Sequence, residues 1–82
     1  MRRYFFDTYD NQSILIDEEG LELASFDKVK SEAAASLAEL AREVLPGSMQ
    51  RNIAVKVRDD KARSILVAEL TFEVRAHLQP VG

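Results

Sequence analysis

The chain has 82 residues, with 11 lysines and arginines against 14 aspartates and glutamates, and its formal net charge is −3. This length predicts a single small domain over residues 1–82, with an ordered core from about residue 2 to residue 76 and a tail over 77–82. The chain has no cysteine, which excludes disulfides and thiolate metal sites. No apolar run is long enough to span a membrane, and the N-terminus lacks a signal-peptide core, so we expect a cytoplasmic protein without membrane contact.

The first part of the chain predicts short extended segments. Residues 3–9 are rich in aromatic side chains, as strands are, and residues 10–13 contain Asp and Asn, which favour a turn. Residues 14–16 then read as a short returning strand, and residues 21–23 as a further short extended piece.

A helix follows. Ser25 can cap its first turn, and Pro46 with Gly47 ends it. Apolar residues recur at steps of three and four and form one stripe, which we expect to be buried: Phe26, Val29, Ala33, Leu37, Leu40, Ala41 and Val44.

The last part of the chain predicts a second hairpin. Polar and apolar residues alternate over 53–58, a polar turn covers 59–62, and a long strand covers 64–75. The expected fold class is therefore α+β, in the order ββαββ, with a four-stranded sheet and one helix packed on one face. We expect strand 3–9 to lie beside and parallel to strand 64–75, which places the two most apolar strands in the middle.

The sheet face away from the helix is exposed to water unless another surface packs against it. Aromatic residues fall on both faces of the first strand, and the last strand is longer than its hairpin partner. Both features favour a homodimer. Its contact is expected to involve some of the following residues: Tyr4, Phe5, Phe6, Ile65 and Val67.

The chemistry of the chain points away from catalysis. The densest group of acids lacks the spacing of a calcium loop and reads as a solvated rim: Asp7, Asp10, Asp17, Glu18 and Glu19. His77 reads as a surface residue. No serine lies in a nucleophile motif, and three glycines cannot form a phosphate loop. We expect no enzymatic activity, no catalytic residues, no cofactor and no metal.

The charge distribution is uneven. Residues 1–45 carry 5 basic and 10 acidic side chains, whereas residues 46–82 carry 6 and 4, and we expect the two parts to pack together and offset each other. The bases over 51–63 could form a stripe for nucleic acid, but the net charge is acidic and we do not expect such binding. The sequence therefore predicts a non-catalytic, homodimeric protein-interaction or regulatory module with an unknown protein partner. The alternative is an antitoxin-like or nucleic-acid-associated regulator.

Three segments together resemble a known family. They are Arg3-Tyr4-Phe5-Phe6-Asp7, then Asp17-Glu18-Glu19-Gly20-Leu21-Glu22-Leu23, and the helix end Leu37-Ala38-Glu39-Leu40-Ala41-Arg42. The family consists of small proteins, common in rhizobia and related alphaproteobacteria, that share a domain of unknown function. The resemblance covers roughly residues 2–75 and implies no activity and no site. Family members often have glycine at the position of Ala62. At the level of fold alone, the chain is also similar to the antitoxin half of HicA/HicB-type pairs, which dimerise.

Overall fold

The first strand lies inside the sheet and pairs with other strands along both of its edges. The computed structural model describes residues 1–77 as an antiparallel sheet with one helix against one face. Strand β1 (Arg2–Asp10) pairs along one edge with two short strands in succession, β2 (Ser13–Leu15) and β3 (Leu21–Leu23). The segment between β2 and β3 leaves the ladder and returns to it, so the two short strands act as one interrupted edge.

The other side of the sheet is a long hairpin. Strand β4 (Gln50–Asp59) pairs with the second edge of β1, and β5 (Ser64–Glu73) pairs with β4. The order across the sheet is therefore β2 and β3, then β1, β4 and β5. Helix α1 (Phe26–Val44) connects β3 to β4.

The α+β class with one helix on one sheet face is confirmed, but the count and order of strands are wrong. The described part of the chain has five antiparallel strands, and β1 lies beside β4 instead of beside the last strand. The reason is the path of the helix. It carries the chain back to the Asp10 end of β1, so the next strand must run antiparallel to β1. The expected length mismatch is also wrong, because β4 begins at Gln50 and both hairpin strands have ten residues.

The predicted signals at the ends of the helix are confirmed. The side chain of Ser25 accepts a hydrogen bond from the backbone N–H of Lys28 at 3.2 Å, which satisfies one of the free amides of the first turn. The helix ends at Val44, directly before Leu45 and the Pro46-Gly47 pair. Gly47 takes a φ of +87°, which turns the chain toward β4.

The core lies between the first half of α1 and the centre of the sheet. Val29 and Ala33 pack with Val55, Val57 and Tyr4, and all five are buried. The second half of the apolar stripe differs from expectation. Its side chains are only half-buried, because the sheet ends at β5 and offers them partners on one side: Leu37, Leu40, Ala41 and Val44. Phe26, at the start of the stripe, is 52% exposed.

Candidate functional site: an arginine–carboxylate network and two sheet edges

The residues predicted for a partner contact do not form one surface. Tyr4 and Phe6 belong to the core side, under the helix, whereas Phe5 points to the opposite face of β1. Val67 is 52% exposed on that opposite face. Their participation in a partner contact stays a prediction, but a single patch that contains all of them is excluded by the alternation of β1.

Ile65 occupies a different place from the one expected. Strand alternation predicts that it shares one surface with Val67, yet Ile65 packs against the core together with Leu66. A register shift in the β4–β5 ladder, between Val57 and Arg58, explains this. A bulge places two successive residues opposite one partner, so the alternation of faces is interrupted there.

Three acids of the first part of the chain, Asp7, Asp10 and Asp17, are structural, whereas Glu18 and Glu19 are exposed as a solvated rim would be. The carboxylate of Asp7 is buried and accepts a hydrogen bond from Nε of Arg58 at 2.9 Å. It also accepts one from the backbone N–H of Asp17 at 2.9 Å. Nη2 of Arg58 donates in turn to the carbonyl of Asp17 at 2.8 Å. This network ties the segment between β2 and β3 to the centre of the sheet.

Asp17 organises the segment that interrupts the short edge. Its carboxylate accepts hydrogen bonds from the backbone N–H groups of Phe6, Glu19 and Gly20 at 3.0 to 3.1 Å. Burial alone would raise the pKa of the Asp17 carboxyl, but these three donors favour the charged form and hold the pKa below its usual value. The Asp17 carboxylate thus accepts the hydrogen bond from the Phe6 amide that a neighbouring strand would otherwise accept.

A second ion pair lies at the other end of β1. Arg51 donates from Nε and Nη2 to the two carboxylate oxygens of Asp10 at 2.6 and 2.7 Å. This paired hydrogen bond to Arg51 lowers the pKa of Asp10. The pairs Asp10–Arg51 and Asp7–Arg58 each join the acidic part of the chain to the basic part, so the prediction that these parts offset each other is confirmed.

The sheet face away from the helix carries cations over aromatic rings. The guanidinium of Arg58 lies 4.6 Å from the ring centre of Phe5, and the ammonium of Lys56 lies 4.3 Å from that of Tyr9. The Arg58 stack covers Phe5, one of the residues expected in a partner contact, and the Lys56 stack covers Tyr9 on the same face. A shallow polar concavity of about 740 Å³ lies at the Asp10 end, but the guanidinium that faces it, that of Arg51, is already paired with Asp10.

One edge of the sheet exposes three consecutive aliphatic side chains. Ile14, Leu15 and Ile16 are 56%, 72% and 51% exposed. They lie on and next to β2, and the acids Glu18 and Glu19 follow them. Leu15 and Ile16 lie beside the half-buried Phe6, whereas Ile14 pairs with Tyr9 on the other face. The sequence predicts a short strand here, and the run of apolar residues without alternation is the signal that could have indicated an exposed apolar surface.

The opposite edge is the long strand β5. Over residues 1–77, no strand pairs with its outer side. Its side chains on the helix side are half-buried: Leu66, Ala68, Leu70 and Phe72. The same stretch of the chain holds no group of three or more metal-ligating side chains and no helix able to cross a membrane. His77 lies exposed after the strand, and the rest of the predicted tail, 78–82, falls outside the described residues.

Comparison with known proteins places the chain in a family. Residues 3–71 match the family model described as a domain of unknown function, DUF6894. This chain is a DUF6894 protein. The match runs from β1 into β5 and includes the arginine–carboxylate network and the β2 edge, and the predicted membership of a family of unknown function is confirmed. Neither the curated proteins nor the solved structures gave a match.

Proposed function

We propose that this DUF6894 protein is a non-catalytic, cytoplasmic protein-interaction module that works as a homodimer. The observation that carries the proposal is the unpaired edge of β5. This edge is ten residues long, and the segment Ser64–Glu73 contains no proline, lysine or arginine. Monomeric proteins usually keep edge strands short or block them with such residues, because a long free edge pairs with other chains.

The incomplete burial next to β5 supports the same proposal. Leu70 and Phe72 on the strand are half-buried, and so are Leu40 and Val44 on the helix. A core of this size leaves only a small stability margin, and a partner that covers these side chains would add apolar burial. The network of Asp7, Asp17 and Arg58 supports the non-catalytic part of the proposal, because its charged groups are engaged with one another and with the backbone.

The β2 edge supports binding of another protein. Leu15 and Ile16 are exposed side by side next to Phe6, an apolar surface at the opposite end of the sheet from β5, while Ile14 is exposed on the other face of the same edge. The two edges therefore offer separate places for self-association and for a partner.

A nucleic-acid-associated regulator, the alternative function, would need cationic side chains that are free to contact phosphate groups. Of the five cations in the basic stretch, Lys61 is exposed. Arg51, Arg58 and Arg63 each form an ion pair with a carboxylate of the chain, and Lys56 lies over a tyrosine ring. These contacts favour the protein-interaction proposal over a nucleic-acid-associated or antitoxin-like regulator.

The proposal is tested by the mass of the protein in solution. We expect sedimentation equilibrium of the full chain to give twice the 9.2 kDa protomer mass at micromolar concentration. Leu15→Lys, at the β2 edge, should keep that mass, because this surface is proposed for a different partner. A wild-type monomer at high micromolar concentration would overturn the proposal, and salt-sensitive binding of an oligonucleotide would favour the alternative.

A further inference from the structure

The direction of the backbone groups of β5 determines how a second copy could pair with it. The backbone N–H of Val74 donates to the carbonyl of Met49 at 2.7 Å, so this opposed pair is a hydrogen-bonded one. In an antiparallel ladder, hydrogen-bonded and non-hydrogen-bonded pairs alternate. Four residues therefore direct their N–H and C=O groups away from β4, toward the free edge: Val67, Glu69, Thr71 and Glu73.

A two-fold axis at this edge admits few registers. Centring it on Glu69 or on Glu73 would place that glutamate opposite its own copy, and centring it on Thr71 would place Glu69 opposite Glu73. Like charges directly opposite each other destabilise a sheet. An axis at Leu70 instead sets Glu69 opposite Thr71 and Val67 opposite Glu73. This register uses all four free-edge residues and stays clear of the bulge at Ile65.

The helix has the right position for such a pairing. Helix α1 packs across both β4 and β5. Strands lie about 4.8 Å apart, so a helix above the β4–β5 seam lies about 5 Å from an axis at the free edge. Its symmetry mate would then lie about 10 Å away, at the upper end of the 8 to 10 Å range of packed helices.

The side chains on the two flanks of α1 agree with this arrangement. Successive residues of a right-handed helix rotate in one fixed sense about its axis. Given the direction of the backbone hydrogen bonds in the sheet and the chirality of L-residues, β5 lies beside the flank of α1 that this rotation reaches next after the buried stripe. The flank toward β5 then carries three small or apolar residues, Ala34, Leu37 and Ala41, and one charge near its start, Lys30. The flank toward β1 is polar and carries Lys28, Glu32 and Glu39.

The positions of these helix residues along the strand direction also agree with a two-fold axis at Leu70. Phe26 lies beside Ile65. From there, the strand advances about 16 Å to Leu70, which corresponds to about 11 residues of helix at 1.5 Å each. Leu37 is therefore level with the axis, and Ala41 follows one turn later.

From this geometry we propose that the partner at the β5 edge is a second copy of this chain, with Leu70 on the two-fold axis and the helices packed through Leu37 and Ala41. The inference rests on the proposed function and specifies its interface. The result is a continuous sheet through both protomers, covered on one face by two antiparallel helices, with a β2 edge at each end.

The chain has no cysteine, so one introduced thiol reports the register. Across the axis, Leu70 would meet its copy in a non-hydrogen-bonded pair with Cα atoms about 4.5 Å apart, within disulfide reach. We expect Leu70→Cys to form a covalent dimer under mild oxidation at least tenfold faster than Leu66→Cys. The control Leu66 is half-buried on the same strand and face, but its copy would lie about 26 Å away.

A second variant tests the edge without relying on a thiol. Thr71→Pro removes an N–H that points away from β4, so the β4–β5 ladder and the far-ultraviolet circular dichroism should persist while the protein becomes a monomer. Thr71→Ser should stay dimeric. A wild-type dimer in which Leu66→Cys or Phe72→Cys oxidises faster than Leu70→Cys, or in which folded Thr71→Pro remains dimeric, would overturn this interface and leave the proposed function standing. A wild-type monomer would overturn both.

Discussion

The two edges of β1 are held by different kinds of interaction. Along the edge shared with β4, apolar side chains meet under the helix, and Val29, Val55 and Val57 are almost completely buried. Along the edge shared with β2 and β3, a polar segment crosses over the missing part of the strand, and Asp17 supplies the acceptors that a strand would have supplied.

This difference determines which kind of substitution destabilises each side of β1. Apolar burial is not directional, so the core side depends on volume and tolerates changes of similar shape. The hydrogen bonds of Asp17 are directional, so the other side depends on backbone geometry and on charge. Substitutions that remove buried volume should therefore destabilise the core side, and substitutions that disturb backbone geometry or charge should destabilise the other side.

The largest effect is expected in the core. Val29→Ala removes two methyl groups from a fully buried site and leaves a cavity beside Val55, so the free energy of unfolding should fall by about 2–3 kcal/mol. Chemical denaturation measures this loss. Lys28→Ala, one residue earlier and exposed, should cost less than about 0.5 kcal/mol. Equal losses for the two variants would contradict the assigned helix face.

A comparable effect is expected at Gly20, on the polar side. A Cβ there would lie 2.8 Å from Cε2 of Phe5 and 2.9 Å from the carbonyl oxygen of Tyr4, and its φ is +73°. Gly20→Ala should therefore lower the free energy of unfolding by about 2 kcal/mol.

Gly47 provides the matched control for Gly20. It has a φ of +87°, but nothing lies within 4 Å of the position that an added Cβ would take, so Gly47→Ala should cost only the backbone strain of about 1 kcal/mol. If thermal unfolding shows the same loss for both variants, close packing of the Gly20 segment against β1 is not what limits it.

A smaller effect is expected on the free energy of unfolding at acidic pH. Hydrogen bonds from the backbone of Arg63 and Lys61, together with the Arg63 side chain, lower the pKa of Asp59 from 3.8 to about 2. A folded-state pKa below the unfolded value contributes stability that is present above about pH 4 and is lost as the pH falls through about 2. Asp59→Asn should therefore flatten the decline of unfolding free energy between about pH 4 and pH 2. Asp60→Asn, at the exposed neighbouring position, should leave the decline unchanged.

The smallest effect is a gain in stability. Ala62 takes a φ of +62° in the turn between β4 and β5, a conformation that a side chain disfavours. Ala62→Gly should raise the free energy of unfolding by about 0.5–1 kcal/mol, measured as a higher denaturation midpoint. A loss of stability would mean that the entropy of the unfolded chain outweighs the strain of the turn.

Local features of this protein could be predicted from the sequence alone. Ser25 and Pro46 mark the helix ends through hydrogen bonds and steric limits that involve only neighbouring residues, and the alternation over 53–58 assigns the faces of β4 for the same reason. The excess of acid in one part and base in the other also indicated that the two parts would meet, since unlike charges attract whatever the fold.

The tertiary structure alone decided which strands are neighbours and which charges are buried. The long strand 64–75 looked central because it is apolar, but β4 is central because the helix covers its Val55 and Val57 while Asp7 and Tyr9 flank its other face. Asp7 and Asp17 read as surface acids because the groups that hold them against the sheet are distant in sequence, although Asp17 also accepts hydrogen bonds from the nearby amides of Glu19 and Gly20. Their partners, Arg58 and the amide of Phe6, come from 51 and 11 residues away, and only a formed sheet brings such groups within hydrogen-bond distance.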